Sequence, residues 1–128
     1  MRSLNYLDLD ENNIQKIEAL GKLISLKNLG LSHNNIQRIE NLENLKNLKW
    51  INLDNNLISK LEGLSHLDKE RNNLYLYLRN NKIQNVDYLH SFETLGNVEI
   101  DGNPMSNDEI FAFKEFARKF FRDIDVGI

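Results

Sequence analysis

Histidine and carboxylate side chains are the residues of this sequence best suited to chemistry, and a zinc site is the first possibility to test. His33, His66 and His90 lie far apart along the chain, and the sequence contains no cysteine. Zinc sites usually combine His and Cys ligands, often at short sequence spacings. The sequence therefore predicts no zinc site and no disulfide.

The aspartates raise a second possibility, a cation shared between carboxylates. Asp8 and Asp10 alternate along one short segment, and Asp54 has an equivalent place further on. Calcium sites wrap the ion in a loop with many oxygen ligands, which a flat strand does not provide. The six glycines are scattered singly, so no glycine-rich phosphate loop is present either. We expect no enzymatic activity, no cofactor and no metal site.

The composition indicates one globular domain over residues 1–128. Hydrophobic residues make up 41% of the chain, charged residues 27%, and the formal net charge is −3. Because nucleic acids and anionic membrane surfaces attract basic proteins, we expect neither as a partner. No stretch approaches the ~20 apolar residues of a membrane-spanning helix. Residues 1–25 lack a signal-peptide core, so the expected location is the cytoplasm.

A pattern of apolar residues and one asparagine recurs every 22 residues. Adding 22 or 44 to each position of the first repeat again finds Leu or Ile, and Asn. In the fourth repeat the pattern is displaced by three residues, and the polar stretch 68–72 predicts a bulged loop. Asn73 then replaces the first leucine, with Leu74 beside it as compensation, and a fifth repeat ends at Pro104. The first repeat has its pattern at Leu4, Leu7, Leu9, Asn12, Ile14, Ile17, Leu20 and Leu23.

The spacing within each repeat predicts one strand and a compact return segment. Two leucines separated by one residue lie on the same face of a strand. The asparagine follows where the chain turns inward, and its amide can bond backbone groups that burial would otherwise leave unpaired. The later apolar spacings favour a 3₁₀ or irregular segment. Since one repeat cannot bury its own apolar edge, the repeats must stack into a continuous core.

The repeat resembles that of a known family. Its pattern L-x-x-L-x-L-x-x-N-x-I-x-x-I-E-x-L-x-x-L, with an acidic residue at Glu18, Glu40, Glu62 and Asp87, is similar to the 22-residue subclass of leucine-rich repeats. The regulatory subunit of protein phosphatase-1 and the internalins are of this type. The resemblance implies an α/β fold, a right-handed horseshoe-shaped solenoid. Its concave side would be a parallel sheet of about five strands that binds proteins, and its convex side would be irregular or 3₁₀. The predicted repeats cover about 4–25, 26–47, 48–72, 73–94 and 95–105.

A C-terminal helix over about 107–122 is predicted to cap the solenoid. Ser106 and Glu109 form a capping box at its start. We expect its apolar face to cover the core of the last repeat, whereas Phe111 lies off that face. This face comprises Ile110, Phe113, Phe116, Ala117, Phe120 and Phe121.

The first repeat has no comparable cap. Leu4, Leu7 and Leu9 would border solvent there, although terminal repeats normally present a polar outer face. Either upstream sequence belongs before this chain, or a partner or second copy covers that end. The sequence does not predict the oligomeric state.

Aromatic residues are concentrated at positions that alternate with the core leucines and therefore point to the concave side. Trp50 and Tyr75 are predicted to be neighbours about 5 Å apart on adjacent strands, with Tyr6 in the same column two strands earlier. Tyr77 is on the same face. Either these rings bind a partner, which we favour, or they stabilise neighbouring strands.

The same face is predicted to be acidic, so the expected partner presents a basic patch. Alternatively, the aspartates are only tolerated at strand ends, an interpretation that applies most to Asp10, Asp54 and Asp101. We interpret the chain as a protein-interaction module, an adaptor or regulatory subunit. The alternative is a fragment of a secreted or surface adhesion protein of internalin style. The predicted partner-binding residues are Tyr6, Asp8, Asp10, His33, Trp50, Asn52, Asp54, Tyr75, Tyr77, Arg79, Glu99 and Asp101.

Overall fold

Six short strands form one parallel sheet in which the spatial order is the sequence order. The structure is a computed structural model that describes residues 3–70, 72–120 and 125–127. Because each strand lies beside the one before it, each coil of chain stacks on the preceding coil and the fold is a solenoid, as predicted. The strands are β1 (Tyr6–Asp8), β2 (Asn28–Gly30), β3 (Trp50–Asn52), β4 (Leu74–Tyr77), β5 (Leu95–Glu99) and β6 (Asp125–Gly127).

The repeat positions form the core. Leu7 pairs in register with Leu29, Leu29 with Ile51, Ile51 with Leu76, and Leu76 with Val98. All of these side chains except Leu7 are fully buried. Removing each such side chain from water contributes roughly 1.5–3 kcal/mol. In the first coil, Leu4, Leu7 and Leu9 are only partly buried, which agrees with the solvent-facing edge that the sequence predicts.

Asparagines at the inner turn connect the coils, as the sequence predicts. The Asn56 amide donates to the carbonyls of Leu31 in the previous coil and of Leu53 and Asp54 in its own. Its Oδ1 accepts the backbone N–H of Ile36 at 3.0 Å. Asn34, Asn81 and Asn103 repeat these contacts. The polar ends of the buried turns are therefore paired within the protein.

The third coil contains a short helical turn that overlaps the bulged loop predicted at 68–72 only at Asp68 and Lys69. This turn is α1 (Ser65–Lys69). Asp68 Oδ1 accepts the backbone N–H groups of Glu93 and Thr94, and the Asn72 amide donates to the carbonyls of Lys46 and Leu48. Hydrogen bonds of Asp68 and Asn72 therefore connect this part of the third coil to the following and preceding coils.

Leu74 compensates for the polar residue at the start of the fourth repeat. Asn73 is exposed with a φ of 54°, whereas Leu74 is buried and pairs with Leu95. The pairing of β4 with β5 shifts register between Leu74 and Tyr75. Gly96 is the extra residue in β5 at this bulge.

The C-terminal helix α2 (Asn107–Phe120) follows β5, and the Ser106 hydroxyl accepts the N–H of Glu109 at 3.1 Å. Phe113 and Ala117 are buried, and the His90 ring stacks on Phe116 with ring centroids 4.6 Å apart. Phe111 is 63% exposed. The predicted helix end at 121–122, with Phe121, lies outside the described residues. No described helix is long and apolar enough to cross a membrane.

A sixth strand, β6, extends the predicted sheet of about five strands. After α2 the chain returns to the sheet, and β6 pairs in parallel with β5, with Val126 opposite Val98. The sequence did not reveal it because residues 125–127 are too few to show an alternating apolar pattern. The β5 edge is therefore paired over Asn97–Glu99.

Candidate protein-binding surface

Side chains that alternate with the core residues of β1 to β5 form what we call the sheet face. It has three columns, because each strand and the turn after it contribute three such positions in register. The first column is Tyr6, Asn28, Trp50, Tyr75 and Asn97; the second is Asp8, Gly30, Asn52, Tyr77 and Glu99; the third is Asp10, Ser32, Asp54, Arg79 and Asp101.

The aromatic contacts on this face differ in detail from those predicted. Trp50 and Tyr75 are direct register partners, as predicted. However, the Trp50 ring packs edge-to-face on Tyr77 in the next column, with centroids 5.6 Å apart. The Tyr75 ring lies over Gly96, where a Cβ would collide with it. Because Gly96 has no side chain, the Tyr75 ring can lie over it. The direction of this ring could not be predicted from the column positions alone.

Tyr6 and Tyr75 are the most exposed aromatic residues of the sheet face, at 54% and 45%. Tyr6 lies beside Asp8, and Coulombic repulsion from that carboxylate, followed by partial burial and by Asp10, raises the pKa of its phenol. A side-chain hydrogen bond between the Tyr6 hydroxyl and Asp8 also raises this pKa, so the hydroxyl remains protonated over the neutral pH range.

Asp54 and Arg79 form an ion pair within the third column. Arg79 Nη2 lies 2.9 Å from Asp54 Oδ2, and the Arg79 backbone N–H donates to Asp54 Oδ1 at 2.7 Å. The hydrogen bond between the guanidinium and the Asp54 carboxylate, followed by the attraction of that charge, raises the pKa of Arg79. The guanidinium also lies 5.8 Å from the Tyr77 ring centroid, within cation–π distance. Asp54 is buried, so it stabilises the stacking of β3 on β4 whatever else it does.

Asp10 has a similar structural contact. Its Oδ1 accepts the backbone N–H of Ser32 in the next coil at 2.7 Å. Within the strand, Asp8 Oδ1 accepts the N–H of Asp10, just as Asn52 accepts that of Asp54. The alternative interpretation of the third-column aspartates, as residues suited to strand ends, is therefore supported for Asp10 and Asp54. Their part in partner binding stays a prediction.

The remaining predicted residues lie at the edges of the surface. Glu99 and Asp101 are half-buried in the fifth coil and add to the negative field around Arg79. His33 is exposed in a left-handed turn (φ 55°), where its Nε2 lies 3.3 Å from the Asn55 amide nitrogen. Asn97 Oδ1 is buried without a hydrogen-bond partner. The described residues contain no group of three or more His, Asp or Glu side chains placed to hold a metal ion.

Comparisons with known proteins agree with this architecture. A family model described as Leucine Rich repeats (2 copies) matches residues 24–66. A leucine-rich-repeat protein of Leptospira interrogans is 30% identical over 99% of the chain, with a TM-score of 0.79. Internalin C2 of Listeria monocytogenes is 28% identical over 98% (TM-score 0.78). A chain of the Drosophila melanogaster SNF/U2A′ complex is 27% identical over 94% (TM-score 0.74).

The matched portion of each relative varies. This chain covers 32% of the Leptospira structure, 51% of internalin C2 and 71% of the Drosophila chain. No curated protein gave a significant match. The repeat pattern, the coil-by-coil sheet, the asparagine contacts and the solved structures agree: the chain is built of leucine-rich repeats and has their solenoid fold.

Proposed function

We propose that this chain is a protein-interaction module, an adaptor or regulatory subunit, whose partner binds the sheet face. The observation that carries the proposal is the exposure of Tyr6 and Tyr75 on the same face as Trp50 and Tyr77. Leaving an aromatic ring exposed to water is less favourable than burying it in an interface, and Trp and Tyr dominate the energetics of protein interfaces. The proposal assigns the chain no enzymatic activity.

The general behaviour of the family supports a protein partner. The leucine-rich-repeat fold generally mediates protein–protein interaction, and one similar structure is that of the SNF/U2A′ complex. On the described sheet face, the carboxylates Asp8, Asp10, Glu99 and Asp101 outnumber the one basic side chain, Arg79, which Asp54 already neutralises. A partner with a basic patch complements this charge.

The double substitution Trp50→Ala/Tyr75→Ala tests the proposal. Both rings lie on the surface, so we expect the variant to fold while its affinity for the natural partner falls by about 2 kcal/mol or more, roughly thirtyfold. The wild-type chain is first used to capture its partner from native extract, which identifies the partner. Calorimetric titration with the purified partner then measures the loss.

Phe111→Ala is the matched control, because it removes an exposed aromatic ring from α2, off the sheet face. We expect it to bind as the wild type does. If the double variant binds with wild-type affinity, or if Phe111→Ala weakens binding as much, the sheet face is not the interface.

A second candidate function is that of a fragment of an adhesion protein. The similarity to internalin C2, which extends over 98% of this chain, favours it. Fractionation of the native cells distinguishes the two proposals. Recovery of the protein with the cell surface or medium supports adhesion, whereas recovery from the cytosol with its partner supports the adaptor.

A further inference from the structure

The side chains of β2 are much smaller than those of the strands on either side. Asn28 is half-buried, Gly30 has no side chain, and Ser32 is buried, whereas β1 presents Tyr6 and Asp8. We call this low row, Asn28, Gly30 and Ser32, the β2 furrow. Because β1 and β3 each lie one strand spacing from β2, its walls are about 10 Å apart at the backbone.

Aromatic rings flank the β2 furrow without filling it. On the β3 side, Trp50 packs on Tyr77, which lies in β4, away from β2. On the β1 side, Tyr6 lies beside Asp8 in its own strand and remains 54% exposed. Between these two rings lies only Asn28, the register partner of both, whose half-buried side chain is smaller than either ring.

Two carboxylates converge on the floor of the β2 furrow. Asp10 Oδ1 and Oδ2 lie 3.0 and 3.4 Å from the point where a Cβ at Gly30 would stand, and Asp8 Oδ1 lies 3.3 Å from it. Arg79, the one basic side chain of the described sheet face, is two strands away and bound to Asp54. The negative charge at Gly30 thus has no counter-charge among the described sheet-face residues.

We propose that the β2 furrow binds an arginine side chain of the partner, with its guanidinium against Asp8 and Asp10 and its plane between Tyr6 and Trp50. A guanidinium suits these groups better than an ammonium, because it is planar, stacks on aromatic rings and offers several donors to carboxylates. The inference rests on the proposed function, since it specifies what the partner brings to the sheet face.

Titration of the full chain with N-acetyl-arginine amide, followed by backbone amide NMR shifts, tests this directly. N-acetyl-citrulline amide is the matched probe, because it has nearly the same shape without the charge. We expect arginine to shift the amides of Gly30 and Ser32 and the Trp50 indole, and citrulline to shift them far less. N-acetyl-lysine amide should bind more weakly than arginine. Equal shifts with citrulline or with lysine would overturn the proposal.

Two substitutions separate a specific site from a general charge effect. Asp8→Asn keeps an oxygen that can accept the Asp10 N–H, so we expect it to leave the fold intact and to weaken arginine binding roughly two- to fivefold. Glu18→Gln removes the same charge from the exposed return segment of the same coil, off the sheet face, and should leave arginine binding unchanged. Equal losses in the two variants would show only a general field and would contradict the proposal.

The two proposals fail in distinguishable ways. If arginine does not bind the β2 furrow but Trp50→Ala/Tyr75→Ala still abolishes partner binding, the sheet face is the interface and the furrow inference alone is wrong. If the double variant binds its partner normally, the proposed function itself is wrong.

Discussion

Single side chains at recurrent positions connect one coil to the next. The sequence predicted the role of the inner-turn asparagines, because an amide at a buried turn can serve both donors and acceptors of the backbone. It placed Asp54 and Arg79 in one column but did not predict their ion pair. The signal was present, since opposite charges in register on adjacent strands attract. The direction of Tyr75 depends on Gly96 and was not accessible from column positions.

Asn56→Ala tests the asparagine contacts. Removing this buried amide leaves the Ile36 N–H unpaired and takes one of two hydrogen bonds from each of three carbonyls. We therefore expect the free energy of unfolding to fall by about 1–3 kcal/mol in urea denaturation. Asn12→Ala is the control. Asn12 is exposed, and water can replace its contacts, so its effect should be clearly smaller. Equal effects would contradict the account.

Ala19 adopts a left-handed conformation that suits glycine better. Its φ is 62°, and the equivalent residues of the next two coils are Asn41 and Gly63. Ala19→Gly should therefore raise the free energy of unfolding by about 1 kcal/mol. The same change in the helical, exposed residue Ala112 should lower it by about as much. Thermal unfolding compares the two, and destabilisation by Ala19→Gly would refute the prediction.

The burial of His66 predicts that the stability of the fold depends on pH. Burial lowers its pKa below the ordinary value of 6.5, and its Nε2 is buried without a hydrogen-bond partner. Protonation is therefore less favourable in the folded than in the unfolded state. The associated stability is intact above pH 6.5 and declines as the pH falls below it. Urea denaturation at several pH values should show this decline reduced in His66→Gln, and an unchanged decline would exclude His66 as its source.

At the scale of elements, periodicity predicted the strands and the C-terminal helix, because each has a long enough apolar pattern. The turn α1 was not predicted, and the loop predicted at 68–72 overlaps it only at its end, since the contacts of Asp68 with Glu93 and Thr94 in the next coil are not visible in the sequence. The strand β6 is too short to carry a pattern of its own, and its pairing with β5 fixes it. Elements defined by distant contacts are the ones that sequence patterns miss.

Phe113→Ala tests the role of α2 as the cover of the last coil. Phe113 is fully buried and its ring lies 6.0 Å from that of His90. We expect the substitution to lower the free energy of unfolding by about 3–5 kcal/mol. Phe111→Ala, on the exposed side of the same helix, should change it by less than about 0.5 kcal/mol. A small effect at Phe113 would mean that α2 does not seal the core.

At the scale of the whole molecule, the repeat positions form the core, and the sheet face is the surface that we propose for recognition. Leucines, isoleucines and asparagines inside the coils specify the solenoid, and this could be predicted from the sequence because every coil repeats it. The side chains between them on the sheet face vary from coil to coil and are not required by the repeat. Their places could be predicted. The partner that we propose for them could not, because its identity depends on the partner's own surface.

Hydroxyl-radical footprinting of the chain, alone and with its natural partner, tests the central claim most directly. Aromatic side chains react readily when exposed, and Tyr6, Trp50 and Tyr75 report on the sheet face, whereas Phe111 reports on α2. The account predicts that the partner protects the three sheet-face residues and leaves the oxidation of Phe111 unchanged. Undiminished oxidation of Tyr6, Trp50 and Tyr75 in the complex would contradict it.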